Sequence, residues 1–380
     1  MNKKLFALAA GTFALGMSEF VMMCILPQVS EALSVSIPQA GRLISAYAIG
    51  VCAGAFSLIF LSRFRPKQVL MSLAGLMVLG AAIAVSAQNY AMLLLARFVE
   101  GLPHGAYFGV GTIVAVKLAD EGKHNVAVAL VCAGMTVANL IGNPLATTLG
   151  EAFTWRVPFA MVLVMGLLAV GLLWCWIPDM DKLPSNGLKG QFRFLKSLDP
   201  WLILGATFLG KCGVMCWYSY ISPLLQEHSG FSAGVMPLLM VIAGLGMFVG
   251  NLVGGRLSDR FKPGRVTFWL QCLAALGLAG VFMFSQTGWM SVALMFLVCA
   301  CIFGLSAPEQ FMIIDHSKGG EMVGGCCIQL AFNLGTALGA LLGGIPIDRG
   351  LGYGHTALVG IPLVLVGAVM LWVFRIRYEE

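Results

Sequence analysis

Residues 256–266 read RLSDRFKPGRV, and residues 60–69 read FLSRFRPKQV. A second pair of stretches, LPQVSEALSVS at 26–36 and SPLLQEHSGFS at 222–232, is separated by nearly the same interval and shares a proline and a glutamate. Two motifs that recur at one interval indicate an internal duplication. The sequence therefore predicts two similar halves, which follow one another along the chain.

The composition of the 380-residue chain excludes an ordinary soluble protein. Hydrophobic residues make up 59% of the chain and charged residues only 11%, and the mean hydropathy is +0.90. A soluble domain carries about 25% charged residues. The chain is therefore predicted to be an integral membrane protein, with the lipid bilayer around most of its surface.

Twelve apolar segments are long enough to cross a bilayer, since a spanning helix needs about 20 residues. They cover approximately 5–28, 40–61, 68–87, 91–116, 124–150, 156–177, 201–224, 233–254, 266–286, 290–313, 323–346 and 354–374. The one long connection, 178–200, is polar and divides the chain near its middle. We predict an all-α membrane protein with a six-helix bundle at 1–177, a cytoplasmic linker at 178–200 and a second six-helix bundle at 201–380.

Lysine and arginine residues are distributed unevenly between the two sides of the predicted bundles. With the N-terminus in the cytoplasm, eighteen of them fall on the inner side, and only Arg42, Arg156 and Arg349 fall on the outer side. Cytoplasmic loops carry an excess of these residues. We predict a multi-pass protein of the bacterial inner membrane with both termini in the cytoplasm. The net charge of +6 then reports topology, and no nucleic-acid partner is expected.

Several kinds of site find no support in the sequence. The eleven cysteines form no CxxC pair, and no Cys/His spacing typical of zinc occurs, so no metal or cofactor is expected. The GxxxxGK[ST] motif is missing, which disfavours ATP-driven transport. The HExxH motif does not occur, and an enzyme is not predicted.

The stretch GGRLSDRFKPGR at 254–265 resembles the Gly-x-x-x-Asp-Arg signature of the major facilitator superfamily, through Gly255, Asp259 and Arg260. The copy in the first half keeps Arg63 and departs from the pattern at the aspartate position. The resemblance covers the full chain and implies two six-helix bundles around a central cavity, which opens alternately to each side. It also implies a gating role for the four motif residues.

The stretch GMTVANLIGNPLATTLG at 134–150 is similar to the Gly-x-Pro pattern of drug/proton antiporters, through Gly142, Pro144 and Gly150. Together with motifs in the first and fourth predicted segments, it resembles the bacterial arabinose and sugar efflux transporters within that group. The resemblance implies transport driven by proton exchange.

Small residues recur in GTALGALLGG at 335–344, through Gly335, Gly339 and Gly343. Small residues at this spacing let two helices approach closely in lipid, where packing must replace the hydrophobic drive. We therefore favour a role in helix packing for these glycines over a role in substrate contact.

Three ionisable residues inside the predicted segments of the first half are candidates for proton coupling: Glu19, Arg97 and Glu100. A charge at the centre of a membrane helix costs at least about 2.5 kcal/mol, so ionisable residues kept there are functional by default. The resemblance implies that the helices of Glu19 and Arg97 face the same cavity and that the two side chains meet. A static ion pair between the helices is the alternative. Glu19 and Glu100 are expected to exchange the one arginine.

A further set of residues suits a small-molecule pocket, which combines aromatic rings with a few polar groups. Lys211 lies near the centre of its predicted segment, where it would pair with Glu19, Glu100 or Glu309, bind an anionic part of the substrate or carry a proton. The other candidates are His104, Tyr107, Phe108, Trp217, Tyr218, Glu309, Gln329 and Asn333. For His104, a hydrogen bond to a neighbouring helix is the alternative to substrate or proton contact. Asp315 and His316 are expected to be solvated.

We interpret the chain as a monomeric, proton-coupled antiporter that exports a small organic solute, such as a sugar-like compound or a drug. A proton symporter, or an exporter of an anionic metabolite or lipid, is the alternative that Lys211 suggests. A receptor that binds without transport is less favoured. The solute itself is not fixed by these residues, because sugars, hydrophobic drugs and amphipathic anions all fit an aromatic cavity of mixed charge.

Overall fold

The computed structural model describes residues 3–55, 57, 64–119, 124–181 and 192–379. These residues form helices and connecting turns, with no β-strand among them. The all-α class is therefore confirmed for this part of the chain. Within it, ten helical stretches are long and apolar enough to cross a membrane.

The chain divides into two compact units. The first unit comprises Met1–Leu33 and Ala46–Asn186, and the second comprises Ser34–Ser45 and Gly187–Glu380.

The first half of the chain contains most of the helices of the first unit. They are α1 (Lys3–Cys24), α2 (Leu26–Ala32), α3 (Ile37–Ala55), α4 (Pro66–Val85), α5 (Tyr90–Gly101), α6 (Pro103–Leu118), α7 (His124–Val137), α8 (Asn143–Ala152) and α9 (Arg156–Trp176). Helix α3 belongs to that unit only from Ala46 onward. A π-helical turn, Ala138–Gly142, joins α7 to α8. Helix α1 packs against α6, α7 and α9 and is the most deeply buried span of this unit.

The second half contains longer and more regular helices. They are α10 (Asp199–Tyr218), α11 (Met236–Arg260), α12 (Pro263–Phe284), α13 (Gly288–Asp315), α14 (Glu321–Asp348) and α15 (Gly354–Phe374). Short helical turns at Arg193–Lys196, Ile221–Pro223, Leu224–His228, Ala233–Val235 and Arg375–Glu379 flank them. Helix α10 packs against α14 and α15, and it corresponds to α1 in being the most buried span of its unit.

The first long helix of each half is interrupted near a proline of the repeated motif. Helices α1 and α2 meet at Ile25, and Pro27 lies in the first turn of α2. Helix α10 ends at Tyr218, shortly before Pro223. Proline has no N–H and clashes with the carbonyl of the preceding turn, so a regular helix does not continue through it. The predicted segments 5–28 and 201–224 are each two helical pieces for this reason.

The predicted segment 91–116 is also two helices, α5 and α6. Leu102 lies between them, and Pro103 opens α6. A proline in the first turn of a helix costs little, because its missing N–H would have no partner there. The division places His104 in the first turn of α6.

The glycines of the GTALGALLGG stretch lie where α14 approaches α10. A Cβ atom added to Gly335 would lie 2.6 Å from the carbonyl oxygen of Phe208, and one added to Gly339 would lie 2.5 Å from that of Cys212. An added Cβ on Gly343 would overlap the backbone of Cys216. The packing role predicted for these glycines is confirmed.

Candidate functional site

A buried ion pair lies on helix α5. Arg97 and Glu100 share one face of the helix because they are three positions apart. The Nη1 atom of Arg97 lies 2.5 Å from Oε2 of Glu100, and both side chains are 0% exposed. The pair is therefore formed entirely away from the solvent, where a charge is stable only if it has a partner.

Ser18 of α1 connects this pair to the first helix. The Nη1 of Arg97 donates to the Ser18 carbonyl oxygen at 2.8 Å. The hydroxyl of Ser18 donates to Oε2 of Glu100 at 3.2 Å. One serine thus contacts both members of the pair, and it fixes α5 against α1 at the depth of the charges.

Aromatic rings cover the Arg97 guanidinium. Its central carbon lies 4.4 Å from the ring centroid of Tyr47 and 5.9 Å from that of Phe159. A cation over an aromatic face is attracted by the ring quadrupole. Within the described residues, the Nε and Nη2 atoms of Arg97 and the Oε1 atom of Glu100 are buried and have no hydrogen-bond partner. The pair consequently keeps hydrogen-bonding capacity that a second carboxylate or a changed rotamer could take up.

Glu19 faces His104. The Oε2 atom of Glu19 lies 3.9 Å from Nε2 of His104. The other ring nitrogen of His104, Nδ1, lies 2.9 Å from the hydroxyl of Tyr47. Glu19, His104 and Tyr47 therefore form a second polar chain beside the Arg97–Glu100 pair.

The sequence analysis expected Glu19 and Arg97 to meet, and the pairing in the structure is different. Arg97 pairs with Glu100, and the nearest basic partner of Glu19 is His104. The reason is local, since two residues three apart on one helix are neighbours in any arrangement of the bundle. The four residues still belong to one buried cluster, because Tyr47 has Glu19, Arg97 and Glu100 as electrostatic neighbours.

Two aromatic candidates next to His104 have different surroundings. The ring of Phe108 lies 5.3 Å from the His104 ring. Tyr107 is buried in the apolar core around α1, where its hydroxyl lies 3.4 Å from the carbonyl oxygen of Leu8. A side chain on Gly11 would overlap the Tyr107 ring. In this structure Tyr107 packs α6 against α1, and the apolar ring of Phe108 packs beside His104.

The second unit contains its own buried charges, on α10 and α13. Lys211 is 8% exposed, and its Nζ lies 5.3 Å from the ring centroid of Phe303. Glu309 is 1% exposed and has Thr207 and Lys211 as its electrostatic neighbours. Its Oε1 atom has no hydrogen-bond partner. Of the partners proposed for Lys211, Glu309 is the one that belongs to the same unit.

The remaining pocket candidates of the second unit lie on α10 and α14. Trp217 is buried and makes an edge contact with Tyr218, with ring centroids 5.9 Å apart. Gln329 donates from Nε2 to Oε1 of Gln310 at 3.5 Å. Asn333 donates to the carbonyl oxygen of Gln329 within its own helix, at 2.9 Å. Asn333 is thus partly occupied by its own backbone, and Gln310 is an additional polar residue.

The gating motif of the second half forms the last turn of α11. Asp259 and Arg260 are exposed there, and the guanidinium of Arg260 lies 5.6 Å from the Phe261 ring. No atom outside its own helical turn lies within 4 Å of a Cβ built on Gly255. Arg63, the matching residue of the first half, lies outside the described residues.

The antiporter-like motif forms the contact of α7 and α8 with α1. Gly142 ends the π-helical turn, and a Cβ added to it would lie 2.8 Å from Cγ of Met17. Pro144 lies in the first turn of α8. A Cβ added to Gly150 would lie 2.9 Å from Cγ of Pro158 on α9. Single π turns frequently occur at functional sites, and this one lies against the helix that carries Glu19.

Two asparagines lie at this contact with α1: Asn139 is in the π turn, and Asn143 directly follows it. Asn143 donates from Nδ2 to Oδ1 of Asn139 at 2.9 Å and approaches the carbonyl oxygen of Gly16 at 3.5 Å. The Oδ1 atom of Asn143 is buried and has no partner. Asn143 therefore lies within one turn of Ser18 and Glu19 along α1.

Three polar residues around the charged cluster are not among the predicted site residues. Ser18, Tyr47 and Asn143 all contact α1 or its charged partners. The sequence does indicate that such residues have structural partners, because a small polar residue or a tyrosine in the middle of an apolar segment needs a hydrogen-bond partner there. The sequence does not identify that partner.

His316 differs from its expected solvation. Its Nδ1 lies 2.6 Å from Oδ2 of Asp199, and its ring packs against Phe374 at 5.0 Å between centroids. The expectation was wrong because the end of α13 lies against the start of α10, and the loop sequence carries no sign of that approach. Among the described residues, no group of three His, Cys, Asp or Glu side chains could hold a metal ion.

Comparison with known proteins identifies relatives along the whole chain. The family model described as Major Facilitator Superfamily matches residues 8–325. The chain is 42% identical over 359 residues to "Putative transporter AraJ" of Escherichia coli (strain K12), covering 94% of this chain and 91% of the relative. It is 25% identical over 378 residues to "Probable sugar efflux transporter" of Helicobacter pylori (strain ATCC 700392 / 26695), covering 99% and 96%.

A solved structure shares the fold. The chain is similar to the structure described as "Crystal structure of D-xylose-proton symporter", with a TM-score of 0.78, 15% sequence identity and coverage of 98% of this chain and 97% of that chain. At this identity the likeness concerns the fold alone. It confirms the predicted transporter fold.

Proposed function

The chain belongs to the Major Facilitator Superfamily, and on that premise we propose that it is a proton-coupled antiporter, which exports a small organic solute by alternating access. Membership of the family makes it a multi-pass membrane transporter and not an enzyme. The direction of transport, the coupling ion and the residues involved are the content of the proposal.

One observation carries the proposal: the first unit places buried Arg97, Glu100 and His104 in one cluster with Glu19, whose side chain is 12% exposed. Arg97 pairs with Glu100, while Glu19 faces His104. Arg97 contacts Glu100 through Nη1 and keeps Nε and Nη2 for a second carboxylate, so protonation of Glu100 would weaken its hold on the arginine and favour Glu19. Proton binding and the pairing of α1 with α5 are then linked, which is the linkage that an antiporter requires.

The solute is proposed to be sugar-like or drug-like. One relative is named as a sugar efflux transporter, which supports export of such a solute. Polar groups on α10, α13 and α14 offer hydrogen bonds, and the aromatic residues around them offer apolar contact. The proposed substrate-binding residues are His104, Phe108, Lys211, Trp217, Tyr218, Glu309, Gln329 and Asn333, with Tyr107 as a packing residue behind them.

We further propose a monomer in the bacterial inner membrane, with both termini in the cytoplasm. The charge distribution supports this orientation, because lysine and arginine concentrate on one side of the predicted bundles. In the proposed arrangement residues 1–177 and 201–380 are the two bundles and 178–200 is the cytoplasmic linker. Gly255, Asp259 and Arg260, with Arg63 of the first half, would control opening toward the cytoplasm.

Lys211 favours a second candidate function, export of an anionic metabolite or lipid, or symport with protons. A buried ammonium over an aromatic ring is suited to an anionic group that enters beside it. Glu309 would then release the lysine when the anion binds. This candidate retains the family membership and changes only the solute and the direction of coupling.

Uptake into everted membrane vesicles tests the proposal. Vesicles with an acidic lumen are given a panel of radiolabelled pentoses and hexoses. For an antiporter we expect accumulation of solute that collapses with the pH gradient, and loss of the gradient dependence in Glu19→Gln. The matched control is Glu31→Gln, which removes an exposed carboxylate from α2 and should leave uptake unchanged.

The outcomes of the vesicle experiment separate the candidates. Solute that leaves preloaded vesicles together with lumenal protons indicates symport. Binding without flux indicates a receptor. Full gradient dependence in Glu19→Gln removes Glu19 from the coupling role.

A further inference from the structure

The hydroxyl of Tyr47 lies between two acceptors. It is 2.9 Å from Nδ1 of His104 and 3.4 Å from the carbonyl oxygen of Leu15. A phenolic hydroxyl has one hydrogen to donate and lone pairs to accept with. It can therefore donate to His104, or donate to Leu15 and accept from His104, but it cannot donate to both fully.

Each arrangement requires a different tautomer of neutral His104. When Tyr47 donates to Nδ1, the imidazole hydrogen is on Nε2 and points toward the Glu19 carboxylate at 3.9 Å. When Tyr47 donates to Leu15, the imidazole hydrogen is on Nδ1 and is accepted by the Tyr47 oxygen. In the second case Nε2 presents a lone pair to Glu19.

The protonation state of Glu19 decides which arrangement is stable. An ionised carboxylate accepts hydrogen bonds only, so it favours the Nε2–H tautomer. A protonated carboxyl group has an O–H to donate, so it favours the tautomer with a bare Nε2. The 3.9 Å separation is longer than a hydrogen bond, so the coupling requires the Glu19 side chain to rotate toward His104.

We propose that Tyr47 is a positioning residue that sets the tautomer of His104 and inverts it when Glu19 takes up a proton. The inference rests on the proposed function, since Glu19 is the proton-linked carboxylate there. It adds a way in which that proton is sensed: His104 changes its pattern of donors and acceptors without gaining a charge of its own.

Tyr47 also links His104 to the ion pair of Arg97 and Glu100, because its ring contacts the arginine. The face of the same ring lies 4.4 Å from the Arg97 guanidinium. The charged and titratable groups around the switch are Glu19 on α1, Arg97 and Glu100 on α5, and His104 on α6. A shift of the Tyr47 ring when its hydroxyl changes partner is therefore felt by Arg97 and by no other cation among these groups.

Tyr107 supplies a matched control within the same unit. It is buried like Tyr47, and its hydroxyl also lies 3.4 Å from a carbonyl oxygen of α1, that of Leu8. The hydroxyl of Tyr107 is not bonded to a histidine in the described part of the chain. Removing the Tyr107 hydroxyl eliminates a hydrogen bond to a backbone carbonyl of α1, as removing the Tyr47 hydroxyl does, but it leaves the contact between Tyr47 and His104 in place.

Nitrogen NMR of the histidine side chains tests the switch without any solute. The full-length protein is labelled with ¹⁵N-histidine, placed in lipid nanodiscs and titrated between pH 5 and 9, and His104→Gln assigns the His104 signals. In the wild type we expect the protonated nitrogen to change from Nε2 to Nδ1 as the pH falls. Glu19→Gln should abolish the pH dependence.

Two tyrosine variants complete the test. Tyr47→Phe keeps the ring over Arg97 and should lose the tautomer inversion, and Tyr107→Phe should keep it. Inversion that persists in Tyr47→Phe, or that is lost equally in Tyr107→Phe, would overturn the proposal. The wild-type spectra also test the proposal by themselves. The proposal is contradicted if His104 keeps one tautomer over the whole titration, or if it becomes doubly protonated and does not change tautomer. An intact swap in a protein whose transport ignores the proton gradient would contradict the proposed function and leave the switch standing.

Discussion

Arg97 is the residue on which the buried cluster depends. It contacts Glu100 and Ser18 through Nη1, and its guanidinium is covered by Tyr47 and Phe159. Because the pair is fully buried, each charge compensates the desolvation of the other. Removing one member therefore costs more than the net contribution of the pair to stability.

Arg97→Ala should lower the free energy of unfolding in detergent by about 3–5 kcal/mol, because Glu100 would be left buried without a cation. Glu100→Gln combined with Arg97→Met should recover much of that loss, since neither charge then remains. The comparison is made by denaturant unfolding of the two variants and the wild type. Equal stability of wild type and Arg97→Ala would show that the pair is not buried as the structure has it.

The candidate residues of the first unit were largely accessible to sequence reasoning, and their partners were not. An ionised side chain in an apolar segment is conspicuous by composition alone, which is why Glu19, Arg97 and Glu100 were found. The contact between Arg97 and Glu100 follows from their spacing on one helix, whereas a contact between Arg97 and Glu19 depends on the rotation of α1 relative to α5, which the apolar pattern does not fix. Tyr47 was not predicted for the same reason: its role depends on contacts with three other helices, and the apolar pattern does not specify those contacts.

At the scale of elements, prolines and glycines determine where helices bend and touch. The breaks near Pro27 and Pro223 follow from the repeated motif, and the approach of α14 to α10 follows from regularly spaced glycines. The π turn at Ala138–Gly142 could not be predicted, because an extra residue in a helical turn leaves no mark in the sequence. The split of α5 from α6 could have been predicted from Pro103.

Gly339→Ala should destabilise the second unit, because the added Cβ would lie 2.5 Å from the Cys212 carbonyl oxygen and 2.7 Å from the Met215 Cβ. Overpacking of this kind typically costs about 1–3 kcal/mol. The measurement is the unfolding midpoint of the purified protein. Gly75→Ala is the matched control, since no atom lies within 4 Å of its added Cβ, and it should leave the midpoint unchanged or raise it slightly. A Gly339→Ala protein as stable as the control would contradict the close approach of the two helices.

At the scale of the whole molecule, composition predicted the membrane and repetition predicted the two halves. Hydropathy alone identifies apolar segments, since every backbone polar group in lipid must be bonded within a helix. The same physics explains what hydropathy cannot supply: a helix that faces lipid and a helix that faces protein have nearly the same composition. The assignment of solute and coupling therefore depends on the few polar residues inside the segments. Their positions predict that a charged cluster exists, but they do not predict which side chains pair within it.

The most direct test of coupling is proton release on solute binding. Purified protein in weakly buffered detergent solution is mixed with each sugar of the vesicle panel, and a pH-sensitive dye follows the free proton concentration. For the solute that is transported, the account predicts release of protons from the wild type and none from the Glu19→Gln/Glu100→Gln double variant. Binding of that solute with no proton release, or with proton uptake, would contradict antiport through the buried cluster of the first unit.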